Sequence, residues 1–124
     1  MSGLGVQMVA RELRLRRGSD IDRVRSRGRS WSSRLLVLAM LPNELDHNRY
    51  GFAVGKRVGG AVERNRAKRL MREAIRVRHS RLAQGHDLLL IARNSVDDAT
   101  TLDQVSRQLD GLLARAGIWM ADAE

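Results

Sequence analysis

The stretch AVERNRAKRLMREAIR at residues 61–76 constrains the fold more than any other part of this 124-residue chain. Its apolar residues recur three and four positions apart, a spacing that places them on one side of an α-helix. This apolar stripe consists of Ala67, Leu70, Met71, Ala74 and Ile75. Most other positions are cationic, so the helix has to bury one side in a core and expose a positively charged side.

Apolar runs of strand length predict the sheet on which this helix packs. Residues 35–41 and 87–92 are continuous apolar runs bounded by turn residues, which is typical of buried strands. Residues 50–54 predict another strand, and we expect it to form an antiparallel hairpin with 35–41 across the polar connection 43–48. Residues 30–32 add a short extra strand.

Two further helices complete the predicted order. The first spans residues 19–28, with Ser19 as its N-cap and Gly28 as a left-handed stop. The last spans about Thr101 to Ala116 and stops at Gly117, while the central helix extends to about residue 78. The order of helix, strands, helix, strand and helix predicts an α+β fold in which helices pack on one small sheet.

The positive charge is concentrated in two blocks. The net charge is +9, yet residues 82–124 carry three Lys and Arg against seven acidic residues, whereas residues 49–81 carry eleven against two. Such asymmetry indicates a polyanionic partner, with nucleic acid as the first candidate and an anionic membrane as the second.

The bulk sequence bounds the remaining possibilities. There is no Cys, which excludes disulfides and thiolate metal sites and is typical of a reducing compartment, so we expect a cytoplasmic protein. No run approaches the length of a membrane-spanning helix, which needs about 20 apolar residues. We predict a flexible extension at residues 1–10, a single domain at 11–118 and a tail at 119–124.

The turn before the central helix suggests a phosphate site. Gly59 and Gly60 leave the backbone accessible, and the first helical turn offers N–H donors in a positive dipole. We expect Lys56 and Arg64 to join these donors around a phosphate. The alternative without a ligand is a solvated basic helix that follows a structural glycine turn.

The sequence contains no convincing catalytic or metal-binding set. His47, His79 and His86 are scattered without the spacing of metal ligands or of a nucleophile and base, and Asp97 and Asp98 precede the last helix, where capping is the simpler role. The pattern therefore indicates a binding protein that assists a catalyst.

Residues 56–73, KRVGGAVERNRAKRLMRE, match the pattern K-[KR]-x-G-x-A-V-x-R-N-x-x-K-R-x-x-R-E without a gap. On this motif the chain closely resembles the bacterial ribonuclease P protein component, and the similarity extends over roughly residues 13–117. The resemblance implies an αβββαβα domain with a mixed sheet and a left-handed crossover, similar to the second domain of a small-subunit ribosomal protein.

The resemblance also implies the function. Family members are the small subunit of a ribonucleoprotein that removes the 5′ leader from precursor tRNA, with the chemistry and most of the Mg²⁺ carried by the RNA subunit. The catalytic RNA and precursor tRNA are thus the implied partners. The residues that would contact RNA are Lys56, Arg57, Arg64, Asn65, Arg66, Lys68, Arg69, Arg72 and Arg76.

The same resemblance places the single-stranded leader in a cleft between the first helix and the sheet. Family members have aromatic residues there for bases to stack on, whereas the aligned positions in this chain are Ile21, Arg25 and Ala39. We expect Arg25 and Arg34 to replace stacking with guanidinium contacts, and Trp31 to offer a displaced platform.

Three other functions fit parts of the pattern. A structural RNA-binding protein of the ribosome or of its assembly has similar charge and fold. A DNA-binding regulator would need base-reading side chains, which an Arg-rich face hardly supplies. A membrane-surface helix conflicts with strands that need the apolar side of the helix as their partner.

Overall fold

The computed structural model describes residues 11–120 and confirms the α+β class and the predicted order of elements. The helices are α1 (Gly18–Arg27), α2 (Ala61–Arg76) and α3 (Leu102–Ala116). The strands are β1 (Arg29–Ser32), β2 (Leu36–Pro42), β3 (Arg49–Val54) and β4 (His86–Ala92). Short 3₁₀ turns at residues 11–13, 56–58 and 79–81 link them.

The four strands form one mixed sheet in the order β1-β2-β4-β3. The predicted hairpin between β2 and β3 is wrong, because β4 lies between them, antiparallel to β2 and parallel to β3. β4 is the most completely buried strand, in keeping with a central position where both faces are covered, while β3, with Arg49 and Gly51, takes the edge. The α2 helix makes the crossover from β3 to β4; the left hand of this crossover stays a prediction.

Successive side chains of β4 pack into two different hydrophobic clusters, one on each face of the sheet. Leu88 and Leu90 belong to the larger cluster, which α2 and α3 cover. Leu89 belongs to a smaller cluster with Val24 of α1 and Leu15 of the segment before it. α1 therefore lies across the sheet from α2 and α3.

The helix ends correct two predictions and confirm another. The N-cap of α1 is Arg17, two residues before the predicted Ser19, and Gly28 has φ −74°, which is not left-handed. A side chain at Gly28 is instead excluded by the close approach of α1 to β2. In α3, the Thr101 hydroxyl accepts a hydrogen bond from the Gln104 N–H at 3.1 Å, and Gly117 is left-handed at φ 72°.

The chain end that the structure describes is part of the fold rather than the predicted tail. Trp119 pairs with Leu82 in an isolated bridge, and the Met120 N–H donates to the Arg81 carbonyl at 3.0 Å. The other parts of the predicted extension and tail, residues 1–10 and 121–124, lie outside the described residues. Between residues 11 and 120, each helix is too short or too polar to cross a bilayer.

A buried polar cluster joins β3 to the turn that follows α2. The Tyr50 hydroxyl accepts from the Asn48 amide at 3.2 Å and lies 2.6 Å from His79 Nδ1. Burial raises the pKa of Tyr50 to about 12, so the hydroxyl stays protonated and donates to a neutral His79. Burial, followed by the charge of His47, lowers the pKa of His79 below its usual 6.5.

We expect Gly28→Ala to destabilise the protein by roughly 1–3 kcal/mol, because an overpacked site has to shift its backbone. A Cβ atom there would lie 2.5 Å from the Val24 carbonyl oxygen and 2.8 Å from that of Met40. The control is Gly111→Ala in α3, where a Cβ meets nothing within 4 Å; it should stabilise by about 0.4–1 kcal/mol. Urea unfolding measures both, and equal effects would refute the close-approach interpretation.

The neutral His79 predicts a pH dependence of stability. Because its folded pKa is depressed, the unfolded chain takes up a proton first as the pH falls through about 6.5, so stability is full above that value and decreases below it. Unfolding free energies from about pH 7.5 to about pH 5.5 should decrease more in wild type than in His79→Gln, which does not titrate. Parallel curves for the two proteins would contradict the prediction.

Candidate nucleic-acid interface

The predicted cationic face lies on α2 and on the turn that precedes it. Ala67, Met71, Ala74 and Ile75 are buried and Leu70 is half-buried, so the apolar stripe is confirmed. All the predicted RNA-contacting residues lie on α2 or on the 3₁₀ turn before it, at positions outside the buried stripe: Lys56, Arg57, Arg64, Asn65, Arg66, Lys68, Arg69, Arg72 and Arg76. The structure thus places the whole set on one helix and the turn that precedes it.

Most of the cations of α2 line one of two concave surfaces. Towards α3 lies the α3-side groove, of about 390 Å³, whose cationic lining is Arg66, Arg69, Arg72 and Arg76 and whose apolar lining is Leu70 and Leu102. Towards β3 lies the basic pocket, where Lys68 and Arg72 face the segment 14–16. Arg72 lines both, so a polyanion that follows α2 can contact the two surfaces at once.

Arg66 has a structural task as well as a charge. Its guanidinium donates to the carbonyl of Thr100 at 2.6 Å and to that of Asp97 at 3.2 Å, in the loop before α3. These two bonds hold α2 against that loop at the end of the α3-side groove where Arg66 lies. Sequence reasoning missed this role, because the partners are backbone atoms more than 30 residues away.

An ion pair reduces the charge at the far end of the face. Glu73 binds Arg76 at 2.6 Å, and this bond lowers the pKa of Glu73 and raises that of Arg76. Helical spacing allows Glu73 to pair with either Arg69 or Arg76, and in the structure it pairs with Arg76. Because both side chains are partly exposed, the pair contributes little to stability.

The structure disfavours the phosphate site predicted at the N-terminus of α2. The Gly60 N–H already donates to the Glu63 carboxylate at 3.0 Å, so the helix is capped by its own acid. Asp97 and Asp98 line the same depression as Gly60 and Glu63. Three carboxylates around one opening repel a phosphate. The candidate anion contacts are therefore the cationic side chains further along α2.

The structure brings together only part of the predicted leader cleft. Ile21 and Ala39 lie in the smaller cluster between α1 and the sheet, and Arg25 is exposed on α1. Trp31 lies on the opposite face, where it packs against the larger cluster with Arg29 at 5.0 Å over its ring. Arg34 is exposed in the turn after β1, at the other end of that strand from α1.

Comparisons with known proteins agree with this geometry. A sequence profile of the family described as Ribonuclease P matches residues 9–117. The chain is 41% identical over 110 residues to a ribonuclease P protein component of Roseiflexus castenholzii, covering 89% of this chain and 90% of the relative. A ribonuclease P protein component of Clostridium botulinum is 42% identical over 110 residues, covering 88% of this chain and 98% of the relative.

The fold matches as well. A solved structure of the Staphylococcus aureus RNase P protein superimposes with a TM-score of 0.79 at 33% identity, covering 87% of this chain and 98% of the other. The chain belongs to the ribonuclease P protein family. The residues that match the family model include the whole of α2.

The cleft beside α1 has an aliphatic floor. One row of paired residues, Val37, Ile91 and Ala53, crosses the sheet on the α1 face and is only half-buried. It forms the floor of the cleft next to Ala39. Sequence reasoning missed this row because its positions belong to apolar runs; the signal that could have found it is the two-residue period that places 37 and 91 on the same face as 39 and 89.

We expect Arg66→Ala to lower the free energy of unfolding by about 1–2 kcal/mol, because the carbonyls of Thr100 and Asp97 lose a charged donor and the bond to Thr100 is partly buried. The matched variant Arg69→Ala removes the same charge from an exposed position of the same helix and should change stability by less than about 0.5 kcal/mol. Urea unfolding separates the two. If both variants are as stable as wild type, Arg66 does not hold the 97–100 loop.

Proposed function

We propose that this chain is the ribonuclease P subunit that binds the catalytic RNA and the 5′ leader of precursor tRNA, and that it assists the Mg²⁺-dependent removal of the leader. Family membership supports a ribonucleoprotein with an RNA subunit. The single observation that carries the rest is the surface of α2, where cations flank two concave surfaces that converge on Arg72.

The contribution of α2 is electrostatic. Like charges at i and i+4, as in Lys68 and Arg72, each destabilise an isolated helix by a few tenths of a kcal/mol, and bound phosphates remove that repulsion. Arg presents planar forked donors that match phosphate oxygens. By neutralising crowded phosphates, the protein would let the RNA fold and bind its metal ions at lower Mg²⁺ concentration.

The contribution of the α1 face is to hold the leader. Its aliphatic floor at Val37, Ile91 and Ala53 offers contact area but no aromatic ring, so the usual stacking of bases is weakened. Arg25, exposed on α1 beside this floor, supplies a guanidinium for bases and phosphates. Binding the leader here would favour precursor over mature tRNA.

We assign the cleavage chemistry to the RNA subunit. Among residues 11–120 there is no group of three or more His, Cys, Asp or Glu side chains placed to hold a metal ion, and we place the catalytic metal ions on the RNA. Phosphodiester hydrolysis requires an activated water and a stabilised leaving oxygen, which Mg²⁺ held mainly by RNA phosphates would supply. We also propose a cytoplasmic location, which the cysteine-free sequence supports.

The test is single-turnover cleavage of a precursor tRNA by a bacterial ribonuclease P RNA, at Mg²⁺ too low for the RNA alone. Wild-type protein should restore cleavage at the mature 5′ end. A Lys68→Ala, Arg69→Ala double variant should lose most of this rescue, because it removes one cation from each side of α2, and it should lower the salt dependence of RNA binding by about two units.

The control is Arg107→Ala, which removes an exposed cation of α3 that pairs with Asp103 one turn away. It should rescue cleavage as well as wild type does. Tight RNA binding by wild-type protein without rescue would refute the proposal and favour the structural ribosomal alternative.

A further inference from the structure

A cavity of about 240 Å³ lies where three elements meet: the segment before α1, the edge strand β3 and the helix α2. Four of its lining residues are cations, Arg14 and Arg16 from the segment and Lys68 and Arg72 from α2. None of the other lining residues, Leu15, Tyr50, Gly51 and Phe52, is acidic. This is the basic pocket introduced above.

The segment that brings Arg14 and Arg16 to the pocket is fixed by backbone contacts. The Leu15 N–H donates to the Tyr50 carbonyl at 2.8 Å, and Arg14 pairs with Tyr50 as an isolated parallel bridge. Leu15 is only 3% exposed, since its side chain enters the smaller cluster. In an extended chain the neighbours of an inward residue point the other way, so burial of Leu15 directs both arginines into the pocket.

Gly51 allows this close approach. A Cβ atom at Gly51 would lie 3.2 Å from the Leu15 carbonyl oxygen and 3.3 Å from the Leu15 Cβ, tighter than ordinary contact. The glycine thus lets the segment lie directly on β3. The pocket wall is therefore built by the fold and does not depend on a ligand to form.

The opposite wall is equally defined. Lys68 and Arg72 are one turn apart on α2, and the guanidinium carbon of Arg72 lies 5.8 Å from the centre of the Phe52 ring, a cation–π contact that orients it. Burial, followed by the charges of Arg14 and Arg69, lowers the pKa of Arg72. The positive charges of Arg14 and Arg72 therefore act on each other across the cavity, and an anion between them would relieve this repulsion.

We propose that the basic pocket binds a phosphodiester group of RNA, with Arg14 and Arg72 as its forked donors and Lys68 and Arg16 beside them. This inference rests on the proposed function and extends it to the segment before α1, outside the family motif. The cavity, of about 240 Å³, is large enough to admit a phosphate group. Because Arg72 also lines the α3-side groove, the strand would continue along α2.

The phosphodiester could belong to the catalytic RNA or to the leader, and two binding assays with the full-length protein separate these sources. The first measures the affinity of the protein for ribonuclease P RNA without substrate. The second measures the affinity of the assembled complex for precursor tRNA and for mature tRNA. Arg14→Ala should weaken one of these interactions roughly tenfold and reduce its salt dependence by about one unit.

The outcomes are distinct. Weaker assembly assigns the pocket to the catalytic RNA, and a loss of preference for precursor over mature tRNA assigns it to the leader. Arg17→Ala is the matched control, because this exposed arginine in the same segment is not among the pocket residues and its side chain makes no capping bond to α1. It should leave both assays within about twofold of wild type.

A second variant distinguishes loss of the phosphate contact from loss of folding. Arg14→Lys keeps the charge but not the forked donors, so it should retain most of the salt dependence while binding more weakly than wild type. If wild type binds both RNAs and Arg14→Ala matches it in both assays, the pocket is refuted while the proposed function stands. If wild type binds neither RNA, the proposed function fails and the pocket fails with it.

Discussion

The pairing of β4 with a strand on each side is the interaction on which the rest of the structure depends. It is antiparallel to β2 and parallel to β3, and its alternate side chains supply both hydrophobic clusters. The parallel pairing requires a long connection from one end of the sheet to the other, and α2 is that connection. The position of the cationic helix is therefore a consequence of strand order, since α2 has to lie over β3 and β4 with its apolar stripe inward.

The sequence predicted the positions of the helices and strands along the chain better than it predicted which strands pair with each other. The 3.6-residue period located α2 and the stop signal at Gly117 located the end of α3, because both depend on residues close together in the chain. The β2–β3 hairpin was wrong because apolar runs indicate burial and say nothing about which strand is adjacent. Nothing local reveals that β4, more than 30 residues after β3 begins, enters between the two.

The site divides in the same way. The cations of α2 could be predicted because a helix fixes their mutual positions, and the family motif named them. The N-terminal phosphate site could not be judged, because Glu63 is ambiguous in sequence between an exposed acid and a cap. Trp31 was placed on the wrong face, since a one-residue difference in register exchanges the two sides of a strand. Arg66 and Arg14 acquire their partners only in the folded chain.

The segment that lies on β3 has a further consequence for how copies of the protein meet one another. A strand at the edge of a sheet presents unpaired backbone groups that can join another chain. On one side of this sheet, the bridge from Arg14 and Leu15 to Tyr50 occupies part of that edge and lines it with cations. On the other side, β1 is only four residues long and starts with an arginine. Short length, coverage and charge are the features that discourage sheets from joining edge to edge, so the arginines at the two edges, whatever else they bind, also oppose aggregation of the free protein.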